Sequence, residues 1–336
     1  MGFTLPGEDI AQRAKAGKKR PVAPRSFYRA RTTGAGGHKA RRRRLLVRSL
    51  FLLPAVLYLL ALFLYPIIYN VFISVQRYSA VSFIQNSGQF NGLVNYRAVV
   101  NSASPTIGHV LINTLLFVGV SLVFQYGIGL ALAVFFSRRF PANAFLRSLI
   151  LIPWLLPPVV SGTILTFMFD TQSGLINRVL TGTGLVSHPV DWLSSPHMAL
   201  VTVIIASIWI GIPFNMVLLY GGYQEIPRQL FEAARVDGAG PFRTFRYIAF
   251  PMLRNVSSVV VLLGIIYTLK AFDQIYVMTG GGPANGTQVL STWSYVLSFT
   301  NLNFGQGAAV GNMLMAVSLV CALIYVRLYG RAGTLS

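Results

Sequence analysis

The sequence predicts an all-α integral membrane protein with six transmembrane helices, and three observations carry that prediction. Apolar residues make up 54% of the 336 positions, charged residues only 11%, and the mean hydropathy is +0.60. A water-facing surface ordinarily needs about a quarter charged residues. Second, the charges leave long uncharged runs at 49–76, 98–137, 148–169, 192–224, 255–269 and 274–326. A hydrocarbon core of ~30 Å is crossed by about 20 apolar helical residues. Third, the basic residues are distributed with a strong sidedness, set out below. The same composition excludes other classes. Only eight residues are acidic and none lies between Asp9 and Asp170, so the first half holds no carboxylate-driven enzyme. Cys321 is the single cysteine, which excludes a disulfide framework and a thiolate metal site. His38, His109, His188 and His197 are scattered without paired spacing, so no metal site is expected.

Residues 1–48 hold 14 of the 28 basic residues and end in Arg41-Arg42-Arg43-Arg44 and Arg48. Rich in Gly, Ala and Pro, this stretch reads as a disordered cytoplasmic tail. It could bind nucleic acid or anionic lipid, or serve as a topogenic block. The arginines abut a span, which favours the block beside anionic lipid and no nucleic acid. The run 49–76 is too long for the apolar part of a cleavable signal peptide, and no Ala-x-Ala site follows it.

Trimmed at Pro, Gly, Asn and Ser clusters, the runs give helices at about 50–74, 110–136, 142–168, 198–220, 256–279 and 307–329, within a membrane domain 49–330 and before a C-terminal tail 331–336. Gly280-Gly281-Gly282-Pro283 divides the last long run, because that composition cannot continue a helix. Six spans place both termini on one side. With the N-terminus inside, the inner segments carry 24 basic residues, whereas Arg77, Arg97 and Arg178 fall outside and Lys270 falls within a span. The positive-inside rule therefore sets both termini in the cytoplasm, with Asp170 and Asp191 outside.

One inner segment, 222–254, looks soluble and holds three of the eight acids. Pro227 suits a first helical turn, and Ile226, Leu230, Ala233 and Ala234 recur at helical spacing. Gly238 and Gly240-Pro241 end that helix, and a second short helix from Phe242 returns to the membrane near Pro251. A short helix with alanines at its centre can approach a partner closely. An ordinary interfacial helix in the headgroups is the other reading of the same residues.

Glu232-Ala233-Ala234, followed by Asp237-Gly238-Ala239, Ile248 and Pro251, resembles the EAA loop of bacterial ABC-importer permeases. From about 49 to 330 the chain is similar to the carbohydrate-uptake permeases of the maltose-permease (MalF-like) family. The resemblance runs through Gly92-Leu-Val-Asn95-Tyr96, Asn113-Thr114, Arg147, Pro153-Trp154 and Pro157-Pro158. It continues through Gly174-Leu-Ile-Asn177, Trp209-Ile-Gly211-Ile-Pro213-Phe214, Phe272-Asp273 and Thr279-Gly280-Gly281-Gly282-Pro283. Phe250 departs from the family, which more often has Leu before the proline. The resemblance implies the type I importer permease fold in the bacterial inner membrane. It also implies a function: ATP-driven, alternating-access import of a sugar, a di- or oligosaccharide, delivered by an extracytoplasmic binding protein. The implied partners are a second homologous permease chain and two copies of an ABC ATPase. Glu232 would pair with a basic residue of that ATPase, Ala233 and Ala234 would permit close approach, Gly238 would supply the turn, and Asp237 belongs to the same ATPase-coupling set. This chain should be no enzyme and hold no cofactor. Its only Gly-Lys pair, Gly17-Lys18, has Gln12 and Lys19 where a phosphate loop needs Gly and Ser or Thr, so ATP and Mg belong to the ATPase.

The resemblance also places a sugar site at Ser207, Gly211, Phe214, Thr268 and Ala271. Lys270 and Asp273 are the charges inside a span, read as sharing one helix face and as facing the bundle interior. Leaving either in lipid costs roughly 2.5–3.5 kcal/mol on insertion scales. They line the substrate path or form a structural ion pair. Pro213 cannot donate to the Trp209 carbonyl, which opens backbone near Gly211. Asn285-Gly-Thr287 fits a glycosylation pattern but reads as a turn. The alternatives are an ABC permease for another solute, such as glycerol phosphate or a polyamine, and an ion-coupled secondary transporter, for which Asp273 alone offers an intramembrane acid.

Overall fold

The structure is a computed structural model and describes residues 52–85 and 87–330, with side chains to 327. The basic stretch 1–48, its expected lipid contact and the tail 331–336 lie outside the described residues. Contacts divide the chain at Ala61, and the architecture below is that of Leu62 onward.

Among the described residues, four helices are long and apolar enough to cross a membrane unaided, namely Leu52–Ser74, Ile107–Phe136, Pro196–Gln224 and Phe304–Arg327. These are the first, second, fourth and sixth spans. On the first, Phe63, Ile68 and Phe72 are exposed, as side chains that meet lipid should be. The second and fourth spans are apolar on every face and pack along each other. That packing buries Phe117, Val203 and Ala206 with Leu269 and Ile275 of the fifth span. Leu130, Ala133 and Leu219 close a second cluster, nearer the Gln224 end, with Ile226, Leu253 and Val260.

The third and fifth spans are broken, where the sequence suggested one helix each. Residues 142–168 form Asn143–Ile150, Ile152–Leu155 and Pro158–Met168. Leu156 and Pro157 are extended, with ψ of 140° and 135°, as suits residues that precede a proline, whose ring disfavours the helical conformation there. The fifth span consists of Pro241–Met252 and Arg254–Leu269, bent by 68°, and then Asp273–Thr279.

Outside the spans, a two-stranded antiparallel pair (Gln76–Arg77 with Gln89–Phe90) and helix Val94–Val100 follow the first span. Asn95 is buried there, and its Nδ2 donates to the carbonyls of Ser74 (2.9 Å) and Gln76 (2.7 Å). Tyr96 Oη lies 2.9 Å from Ser74 Oγ and accepts from Asn312 Nδ2 at 3.0 Å. Asn70 Nδ2 donates to Asn312 Oδ1 at 2.7 Å. The first and sixth spans, whose apolar side chains gain little by exchanging lipid for each other, are thus joined by amides.

Candidate functional site

The segment 222–254 begins where the fourth span ends. Pro227 precedes the helix Arg228–Val236, and Glu232 and Ala233 lie on its exposed side, whereas Ala234 is buried. The helix closes in a Schellman arrangement. Ala239 N–H donates to the Ala234 carbonyl (2.8 Å), Gly238 N–H donates to Arg235 (3.1 Å), and Gly238 is left-handed at φ 72°. That geometry requires a residue without Cβ strain at position 238 and turns the chain back through Gly240 into Pro241. Asp237, the C-cap residue, is exposed. The two alanines therefore have different jobs. Ala234 seats the helix on its own chain, and Ala233 leaves a small, uncharged spot exposed next to the Glu232 carboxylate.

The residues assigned to the substrate path fall in two environments. Ser207 and Thr268 are buried at 4% and 5% exposure. Gln125 of the second span, also buried, donates its Nε2 to the Ser207 carbonyl (2.9 Å) and to Ser207 Oγ (3.3 Å). Its carboxamide lies directly against Gly211, where a Cβ would collide with it. Gly211 thus lets two spans and an amide share one level. Phe214 sits between Trp154 of the third span (centroids 5.9 Å) and Tyr267 of the fifth (5.3 Å, edge to face). Gln125, Trp154 and Tyr267 were missed as neighbours because nothing in their local sequence points across the bundle.

Lys270 and Asp273 do not share a helix. The fifth-span helix ends at Leu269, the next begins at Asp273, and 270–272 are not helical. The break frees the Ala271 carbonyl, which accepts from Ser291 Oγ at 2.8 Å. Both charged side chains are exposed on this chain rather than turned inward, and no ion pair joins them.

Beyond the helix Asp273–Thr279, Gly280–Gly282 form a loop with φ values of 61° at Gly280 and 92° at Gly281. Thr287, fully buried, donates its hydroxyl to the Gly282 carbonyl (2.8 Å) and lies 2.6 Å from Thr279 Oγ1. From the second span, Asn113 Nδ2 donates to the carbonyls of Gly286 (3.1 Å) and Gln288 (3.3 Å), and Leu290 N–H donates to Thr114 Oγ1 (3.1 Å). Asn177 does the same work after the third span, where the carbonyls of Thr171 and Val190 accept from it. In return, Val190 N–H and Trp192 Nε1–H donate to its Oδ1. Asp170 Oδ1 accepts from Ser173 Oγ, Ser173 N–H and Gln172 N–H, which holds its carboxyl below the usual carboxylate range.

Residues 125–333 match the family described as "Binding-protein-dependent transport system inner membrane component". The chain belongs to this family. As a permease of that kind it is a multi-pass membrane protein. It is 33% identical over 279 residues to a trehalose/maltose transport system permease of Thermococcus litoralis, covering 83% of this chain and 92% of that one. It is 28% identical to a diacetylchitobiose uptake system permease of Streptomyces coelicolor, with 92% and 95% covered. A structure of a bacterial alginate ABC transporter, in complex with an alginate pentasaccharide-bound periplasmic protein, contains a chain with the same fold. The two share a TM-score of 0.73 at 21% identity over 88% of this permease and 97% of that chain. The matched region takes in both the exposed Glu232-Ala233 surface and the broken fifth span.

Proposed function

We propose that this permease is the translocating subunit of an ATP-driven importer for a di- or oligosaccharide handed over by an extracytoplasmic binding protein. The observation that carries the reading is the rigidly capped helix Arg228–Val236, which stands out from the spans with Glu232 and Ala233 exposed at its centre. A helix so presented is a handle for a separate ATPase, two copies of which bind and hydrolyse Mg-ATP. Its root is continuous with the fourth span at Gln224 and its exit with the bent fifth span at Pro241, so a push on it reaches both. These spans carry Ser207, Gly211, Phe214, Thr268 and Ala271, and the break at 270–272 leaves backbone and rings where sugar hydroxyls and C–H faces can be met. Sugar is favoured over other solutes because the relatives named above are permeases for trehalose/maltose and diacetylchitobiose.

A second, homologous permease chain completes the pathway. Lys270 and Asp273 are exposed on this chain within a span, and each would cost roughly 2.5–3.5 kcal/mol if it faced lipid. A partner permease and the water-filled path between the two chains remove that cost. The test is uptake of labelled oligosaccharides by proteoliposomes holding both permeases and the ATPase, with binding protein added outside. Omitting the ATPase, or substituting Glu232→Ala, should reduce uptake at least tenfold while the subunits stay assembled. Uptake that persists without the ATPase would overturn the reading in favour of ion coupling.

A further inference from the structure

A cavity of about 720 Å³ opens between the end of the second span and the helix Arg228–Val236, on the flank of that helix that carries Arg228, Glu232 and Arg235. Arg138 and Arg139, directly after the span, line one side, and Arg228 and Arg235 line the other. Among the described residues of the lining, Glu232 is the only carboxylate, so their five formal charges leave a net +3. All four arginines are exposed, and among the described residues none is in an ion pair. The floor is apolar, built from Val134, Ile226, Phe231 and Phe245. Like charges brought together from two elements repel unless an anion sits between them.

We propose that this cavity binds the phosphate of an anionic phospholipid headgroup, and that the bound lipid ties the helix Arg228–Val236 to the second span. Guanidinium forks match phosphate oxygens in pairs, which suits a cluster of arginines to this ligand more than to a simple halide. A lipid is favoured over a soluble anion by depth. Phe136 ends a thirty-residue apolar helix, so Ser137 and Arg138 stand at the level of the headgroups, and the apolar floor accepts the glycerol and first methylenes. The lipid site is independent of the proposed transport function. Only its consequence, a stiffer link between the ATPase handle and the spans, rests on that reading.

The test uses the full chain in bilayers of phosphatidylcholine and phosphatidylglycerol, with spin-labelled lipids reporting the phosphatidylglycerol preference of the protein-bound shell. The stretch 1–48 contributes equally to every variant, so the difference between variants is the readout. R138Q/R139Q should lower the preference at least twofold, and Glu232→Gln should raise it, a gain that misfolding cannot produce. Preference unchanged in both variants would overturn the proposal. So would inorganic phosphate displacing the labelled phosphatidylglycerol, which would make the site one for a soluble anion. Because the measurement needs neither ATPase nor sugar, it stands or falls apart from transport.

Discussion

Replacing Gly211 by alanine tests whether that glycine is there for substrate or for the second span. A Cβ at 211 would strike the Gln125 carboxamide, which at that level donates to both the carbonyl and the hydroxyl of Ser207. The amide cannot simply swing away, because Gln125 is 5% exposed and enclosed between the spans. Two costs follow. An interhelical hydrogen bond inside a membrane is worth about 0.6 kcal/mol on average and up to about 1.7. Overpacking a filled interface costs roughly 1–3 kcal/mol. Together Gly211→Ala should destabilise by about 2–4 kcal/mol. In the double variant Gln125→Ala/Gly211→Ala the clash disappears and only the bond is lost, so most of the lost stability should be recovered. The assay is reversible unfolding of the purified permease in mixed micelles, with the three variants compared as a double-mutant cycle. An alanine at 211 as stable as glycine would refute the steric argument, as would a double variant no more stable than the single one. Such a result, joined to a raised KM for sugar, would hand the position to the substrate.

Gly238→Ala places a side chain at φ 72° with open space around it, so only backbone strain is incurred, about 1–2 kcal/mol for a left-handed L-residue. Binding-protein-stimulated ATPase activity should fall, and Gly238→Asn should retain more of it because asparagine tolerates that conformation. Asp170 titrates below its ordinary range because Ser173 and Gln172 donate to its carboxylate. Its contribution is therefore complete above the unfolded pKa near 3.9 and is lost as pH falls through the lower folded value. Limited proteolysis of the 171–190 loop by an acid-active protease should quicken across that interval, and Asp170→Asn should be cleaved at a rate that does not change there. With Cys321→Ser as background, Lys270→Cys should react with a membrane-impermeant maleimide in the assembled importer, whereas Phe72→Cys on the first span should not. Equal protection of both would place Lys270 in lipid.

Much of this was legible in the sequence, and the reason differs from element to element. The spans announce themselves because burial in hydrocarbon is a demand on each residue separately, met or unmet within about 20 positions. The breaks in the third span were legible as Pro153, Pro157 and Pro158, although they were read as features inside one helix. The break at 270–272 was not legible. Lys270-Ala271-Phe272 contains neither proline nor glycine, and the carbonyl it frees is satisfied by Ser291, twenty residues further on. The face shared by Lys270 and Asp273 was therefore read from a helical periodicity that the chain does not keep there. The EAA segment was legible because capping is local: every bond of its Schellman turn lies within Ala233–Ala239.

The asparagines show where a motif outruns its local reading. Asn95, Asn113 and Asn177 stood out only by resemblance. Each proves to be a buried amide that holds an extracytoplasmic loop by two or more backbone groups, Asn113 across 173 residues of sequence. Between spans, hydrocarbon neighbours are as apolar as leucine, so burial alone gives no preference for one register, and amides supply it. The same logic separates structure from work along the path. Where a polar group in the membrane zone is buried and paired, as Gln125 is with Ser207, its partner explains it. Lys270 and Asp273 are exposed and unpaired on this chain, so their explanation must come from outside it. Among the described residues of the spans, 270–273 thus leaves two charges without a partner on this chain, on the same broken span that carries Thr268 and Ala271, and the proposed sugar path requires unfinished surface there.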